Sequence, residues 1–198
     1  METEIEAKFP DIDPTKFRAK LKKIGAMQKS PEVFMKRKTF DFQSGSLEKV
    51  SGWVRLRDEG NKITLSYKQV NDRGLHGTKE VTVNVSDFGT ACQFLENIGL
   101  ITKSYQETKR ETWSYNNVEI TIDTWPWIPT FVELEGPSEA SVRKVATALE
   151  LDWKTALHGS VEPVYQMHYD FTEAEIDSWE SITFVPPPAW LLAKKKSV

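Results

Sequence analysis

Apolar and polar positions along most of this chain alternate with a period of two. Ile5, Ala7 and Phe9 alternate with Glu4, Glu6 and Lys8, and Val54 and Leu56 with Trp53, Arg55 and Arg57. Ile63, Leu65 and Tyr67 alternate with Lys62, Thr64, Ser66 and Lys68, and Val81, Val83 and Val85 with Glu80, Thr82 and Asn84. Val118, Ile120 and Ile122 alternate with Glu119, Thr121 and Asp123, and Val132 and Leu134 with Phe131, Glu133 and Glu135. Successive side chains of a strand point to opposite faces, so each stretch predicts a strand with one aliphatic and one polar face.

A few segments carry helical signals instead. Asp13-Pro14 supplies an N-cap and a first-turn proline, and Phe17, Leu21 and Ile24 follow at helical spacing before Gly25. Ser86 or Asp87 opens a second helix with Phe94, Leu95 and Ile98, stopped by Gly99. Ser138 opens a third, with Val142, Val145, Ala146 and Leu149 on one stripe, and Thr172 with Glu175 has capping-box spacing for a short helix. The stretch from Pro186 to Val198, with its prolines and its lysine run, is expected to be a poorly ordered, solvated end. The expected organisation is one domain over residues 1–180 with a tail over 181–198.

A polar strand face ordinarily meets water. Two features oppose that reading here. The polar parity sorts into runs of one sign, Glu4 with Glu6, Glu133 with Glu135 and Arg55 with Arg57, and like charges held this close need compensation. Helices packed outside a curled sheet would also cover the aliphatic parity and leave the charged parity facing inward. A barrel of about eight strands is just wide enough to hold one small ligand.

Composition narrows the possibilities. Lys and Arg (26) nearly balance Asp and Glu (29), which leaves no basic field for nucleic acid. The single cysteine, Cys92, cannot form an intramolecular disulfide and fits a reducing compartment. No secretory leader is recognisable, and no apolar run approaches the ~20 residues of a membrane helix. The expectation is a cytoplasmic protein without a membrane or nucleic-acid partner, monomeric or homodimeric.

The inward charges suggest a ligand. Carboxylates at Glu4, Glu6, Glu80, Asp123, Glu133 and Glu135, without His or Cys ligands, suit a hard divalent ion such as Mg²⁺ or Mn²⁺. Arg55 and Arg57 present planar forks that match phosphate oxygens, and Lys8, Lys68 and one of Lys109 or Arg110 add charge. A small molecule that needs both sets is a polyphosphate. The competing reading, a core built of buried salt bridges, is a poor way to stabilise a fold. His76 and His158 read as loop residues, and His168 and Cys92 as packing.

Glu4-Ile5-Glu6-Ala7-Lys8 resembles the ExExK opening of the CYTH, or triphosphate tunnel metalloenzyme, superfamily. The resemblance continues through Trp53-Val54-Arg55-Leu56-Arg57, Thr64 to Lys68, Lys79-Glu80, Lys109-Arg110, Ile122-Asp123 and Phe131 to Gly136. Ser160 to Tyr165 looks like the late strand that closes the tunnel, whereas Phe40-Asp41-Phe42 departs from the family's Tyr-x-Asp-Thr and leaves Asp41 without a role. The resemblance implies an α+β fold, with helices outside an eight-stranded antiparallel tunnel that holds a triphosphate and a divalent metal. It assigns Glu4, Glu6, Asp123, Glu133 and Glu135 to the metal. Lys8, Arg55, Arg57, Lys68 and Arg110 would clamp the phosphates. Arg110 is preferred over Lys109, which has the opposite parity. Lys8 and Glu80 would act in catalysis, and Trp53 could stack on an organic group. Triphosphate hydrolysis is the expected activity. The alternatives are a class IV adenylyl cyclase, whose His-Phe pair ahead of ExExK has no counterpart in Met1-Glu2-Thr3, and a non-catalytic polyphosphate-binding module.

Overall fold

The computed structural model describes residues 1–70 and 74–196. In chain order the elements are strands β1 (Glu2–Thr3) and β2 (Glu6–Phe9), helix α1 (Pro14–Lys23), and strands β3 (Met27–Phe42), β4 (Gly52–Asp58), β5 (Ile63–Val70) and β6 (Thr78–Val85). Helix α2 (Phe88–Asn97) precedes β7 (Leu100–Tyr115), β8 (Val118–Thr124) and β9 (Phe131–Glu135). Helices α3 (Glu139–Ala148), α4 (Glu162–His168) and α5 (Glu173–Asp177), strand β10 (Ser181–Ile182) and helix α6 (Ala189–Leu192) complete the chain.

The sheet order is β1-β6-β5-β4-β3-β7-β8-β9-β2, so the first nine residues touch both of its edges. Glu2 pairs with Glu80 on β6, whereas Glu6 to Phe9 pair with Glu135 to Val132 on β9. At the break between them, the Glu4 N–H donates to the Thr78 carbonyl and the Gly136 N–H to the Ile5 carbonyl. With β1 and β2 counted as one broken strand, eight antiparallel strands form a curled, barrel-like sheet with helices outside. Closure in this way leaves few free edges.

The helices form where their caps demand. Asp13 accepts from the Thr15 and Lys16 N–H groups, Asp87 from Thr90, and Ser138 and Thr172 make capping boxes with Ser141 and Glu175. Phe17 and Leu21 of α1, with Val142, Val145 and Ala146 of α3, cover Ala7, Phe9, Ile120, Val132 and Leu134. Gly136 permits this close approach, since a Cβ there would meet Val118 and Val142 side chains at 3.0–3.1 Å. Cys92 and Leu95 of α2 cover Phe40 and Leu56. The aliphatic parity is therefore the outer face, and the charged parity lines the interior. On β6 the covering stops: Val81 and Val83 are about half exposed.

Two expectations need correction. Ser160–Tyr165 is not a strand; Pro163 sits in the first turn of α4, where its missing N–H costs nothing, and Val164 and Tyr165 are buried by helical packing. Leu157, ahead of this segment, meets β2 through an isolated bridge to Lys8. The segment after residue 180 is packed rather than loose. Here β10 runs parallel to β7 at Tyr105 and Gln106, Leu191 is fully buried, and Trp190 packs on Trp179 with ring centroids 5.2 Å apart. Aromatic burial anchors this segment in spite of its prolines. Lys194, Lys195 and Lys196 are exposed, as expected, while Ser197 and Val198 lie outside the described residues. Among those residues no helix is long and apolar enough to cross a membrane.

Candidate active site

The curled sheet encloses a cavity of about 630 Å³, a size suited to a small-molecule ligand. Glu4, Glu6, Lys8, Trp53, Arg55, Arg57, Lys68, Glu80, Arg110, Glu133 and Glu135 all line it. Asp123 does not. It is 1% exposed and lies behind Arg110, accepting from Nε at 2.7 Å and Nη2 at 3.0 Å. Its geometry is that of a group which orients Arg110.

The charges interlock. Lys8 Nζ lies 3.0 Å from both Glu6 and Glu133, and Lys68 Nζ lies 3.0 Å from both Glu4 and Glu80. Arg55 pairs with Glu80 at 3.0 Å, Arg57 with Glu59 at 2.7 Å, and Arg110 reaches Glu133 at 3.4 Å. Burial opposes the charge on Lys8, but Glu133 and Glu6 outweigh it and push the ammonium pKa up, so Lys8 stays a cation. Glu133 is likewise held well below the usual carboxylate range: burial raises it, and Lys8 and Arg110 overcome that. Burial and the neighbouring Arg57 depress Arg55 to about 10, and among the described residues its buried Nε has no hydrogen-bond partner.

One wall carries uncompensated acid. Burial, a hydrogen bond to Glu80 and nearby Glu6 push Glu4 up to about 8 despite Lys68. Burial, then Glu133, Glu6 and Glu119, push Glu135 up to about 7, and among the described residues no cation lies within ion-pair reach of it. Glu6, Glu135 and Glu119 are direct cross-strand neighbours on β2, β9 and β8. Like charges so placed repel, and the all-oxygen donor set fits a hard divalent cation as the missing compensation. Among the described residues no three potential ligands are already gathered in coordination geometry.

These shifts make stability depend on pH. In the folded, metal-free protein Glu4 and Glu135 hold protons that the unfolded chain releases near the ordinary value of 4.5. The unfolded state therefore binds fewer protons, and stability is expected to fall as pH rises from about 4.5 to about 8. Glu80 and Glu133 have depressed values, so they lose their stabilising contribution as pH falls below 4.5. Chemical denaturation at pH 5 and pH 8 in EDTA measures the first slope; equal or greater stability at pH 8 would contradict it.

Several cavity residues carry no clear sequence signal. Arg37 lies in the Lys36-Arg37-Lys38 run, where no parity marks the inward residue. Glu59 lies just past β4, Glu162 belongs to the segment expected as a strand, and Asp177 ends the short helix that the Thr172–Glu175 capping-box spacing predicts. His158 is a loop residue, as expected, yet it also lines the cavity, with Nδ1 3.1 Å from the Glu6 carbonyl. Trp125 and Trp127 cover the protein's own C-terminal segment: Trp125 packs on Tyr165, and Trp127 Nε1–H donates to the Val185 carbonyl at 2.8 Å. Asp41 is buried and caps the turn before β4 by accepting the N–H groups of Phe42, Leu47 and Glu48. Cys92 is buried, with Lys38 Nζ 3.2 Å from its sulfur.

A curled antiparallel sheet around a cation-and-carboxylate interior defines a tunnel-type fold. The CYTH domain family model matches residues 2–164, and the chain belongs to that family. No curated protein matches the sequence. Among solved structures, a conserved hypothetical protein from Pyrococcus furiosus is 20% identical, with a TM-score of 0.68 over 82% of this chain and 99% of the other. A candidate adenylate cyclase from Vibrio parahaemolyticus is 16% identical, with a TM-score of 0.71 over 83% and 98%. A candidate adenylyl cyclase from Hippeastrum, in which triphosphatase activity is dominant, is 14% identical, with a TM-score of 0.56 over 84% and 96%.

Proposed function

We propose that this protein is a divalent-metal-dependent triphosphatase that hydrolyses inorganic triphosphate, thiamine triphosphate or a nucleoside triphosphate inside its tunnel. The observation that carries the reading is the opposition of two charge sets in one cavity: the Arg55, Arg57, Arg110 and Lys68 cations, and the Glu4, Glu6 and Glu135 wall with surplus acid. The dominant triphosphatase activity of the Hippeastrum protein accords with it.

The arginine forks would grip non-bridging phosphate oxygens, and their partner carboxylates keep them aimed before a ligand arrives. Lys8, fixed as a cation between Glu6 and Glu133, would neutralise charge developing on the phosphoryl group rather than move a proton. Glu80 is held ionised: burial opposes this, but the Glu4 hydrogen bond, Lys68 and Arg55 prevail, so it would keep Lys68 and Arg55 aimed at the substrate rather than act as a proton acceptor. Glu4, Glu6, Glu133 and Glu135 would hold Mg²⁺ or Mn²⁺, which supplies positive charge at the phosphate oxygens and lowers the pKa of water. Water oxygen bonds to the terminal phosphorus as its proton passes to a non-bridging phosphate oxygen, the bridging P–O bond breaks, and phosphate and a diphosphate leave.

The test is a panel of inorganic triphosphate, thiamine triphosphate and ATP with Mg²⁺ or Mn²⁺. Phosphate release with little or no cyclic AMP is expected. Pyrophosphate and cyclic AMP from ATP, with inorganic triphosphate inert, would establish a cyclase instead. Tight triphosphate binding without turnover would establish a binding module.

A further inference from the structure

Among the cations in the cavity, Arg37 stands apart. Lys8, Arg55, Arg57, Lys68 and Arg110 each have a carboxylate within 3.0 Å. Among the described residues, no carboxylate lies within ion-pair distance of Arg37. Its Nε donates to the neutral Gln106 Oε1 at 2.7 Å, and its guanidinium lies over the Trp125 ring, 4.0 Å from the centroid. Both contacts fix the direction of the fork without neutralising its charge.

The surroundings make that charge costly. Burial, then Arg55, Arg57 and Arg110, push the Arg37 pKa well below the usual guanidinium value. Glu162, whose charge acts in the other direction, is itself pushed up to about 7 by burial and by Asp177. A fold that gains stability from its ion pairs would have paired this residue. A preoriented, uncompensated cation is instead the arrangement of a site completed by an anion.

Position says which part of the anion. Arg37 is the direct cross-strand neighbour of Arg57 on β4 and of Gln106 on β7. Trp53 lies four residues back along β4, roughly 13 Å away at the usual rise per residue. An organic group stacked on Trp53 would place the last phosphoryl group at the Arg57 and Arg37 end.

We propose that Arg37 is a sixth cation of the phosphate clamp and binds the terminal phosphoryl group of the chain. This rests on the triphosphate reading above. The test is calorimetric titration of a non-hydrolysable imido analogue of inorganic triphosphate, with Mg²⁺ present, into the parent, Arg37→Gln and Arg37→Lys, with thermal unfolding of each in the absence of the analogue. Arg37→Gln is expected to lose about ten- to a hundredfold in affinity, the range of a charge-assisted hydrogen bond. It is expected to unfold at the parental temperature or above, because repulsion from Arg55, Arg57 and Arg110 is relieved. A lysine keeps the charge without the fork, so Arg37→Lys should fall between the other two. Parental affinity in Arg37→Gln overturns the proposal, as does a lower unfolding temperature with unchanged affinity, the signature of a packing role. If Arg37→Gln does not fold, Arg37→Lys decides: loss of affinity supports the assignment, and parental affinity overturns it. A parent that does not bind the analogue overturns this proposal together with the reading it rests on, whereas a binding parent with an indifferent Arg37→Gln overturns this proposal alone.

Discussion

Glu135→Gln is expected to abolish metal-dependent turnover and, in the same protein, to raise the stability of the metal-free fold. The substitution keeps volume and removes one negative charge. Burial and the carboxylates of Glu133, Glu6 and Glu119 make that charge unfavourable when no cation is present. Relief of this repulsion should stabilise the metal-free protein by about 1–2 kcal/mol at pH 8, where the glutamate would otherwise be ionised. The same charge is what a divalent ion needs, so turnover should fall by about a hundredfold or more. Mn²⁺ binding followed by electron paramagnetic resonance checks the metal assignment without any turnover. Parental Mn²⁺ affinity together with an unaltered rate at saturating Mg²⁺ would place Glu135 outside the site. Glu133→Gln makes the useful contrast. Glu133 is two residues away on the same strand face, but it neutralises Lys8 and Arg110, so its loss should destabilise the protein.

That contrast also marks what the sequence makes legible. Alternation placed Glu133 and Glu135 on the inward face, and the ExExK and Trp-x-Arg-x-Arg stretches placed their charges there too. Alternation cannot distinguish a carboxylate that is neutralised from one that is not, because partners such as Lys8 and Arg110 come from other strands. The two longest strands were the least readable. Strand β3 carries Pro31 and register shifts near Ser30, Val33 and Thr39, and each shift swaps the face presented by the residues beyond it. Strand β7 pairs with β3, β8 and β10 in turn, so its surroundings change along its length. Arg37 was lost for this reason. The C-terminal segment was misjudged because proline and lysine content signals solvation, whereas Trp179, Trp190 and Leu191 decide the packing.

Arg110→Met should be the most destabilising change in the cavity, and the reason lies behind the tunnel wall. Arg110 donates twice to Asp123, which is 1% exposed, and lies 3.4 Å from Glu133. Removing the guanidinium leaves a buried carboxylate whose remaining hydrogen bond among the described residues comes from the Thr121 hydroxyl. Loss of one partner from a buried pair costs about 3–5 kcal/mol, since the stranded charge must stay desolvated, become protonated or move to water. Adding Asp123→Asn to Arg110→Met should recover much of the stability, because the stranded charge is removed as well. Triphosphate binding should stay impaired, since the fork is still missing. Urea denaturation of the parent, both single variants and the double variant measures the coupling. If Arg110→Met loses under about 1 kcal/mol, the Arg110–Asp123 pair contributes no more than an exposed salt bridge, and Asp123 is free to serve as the metal ligand that the family resemblance suggests.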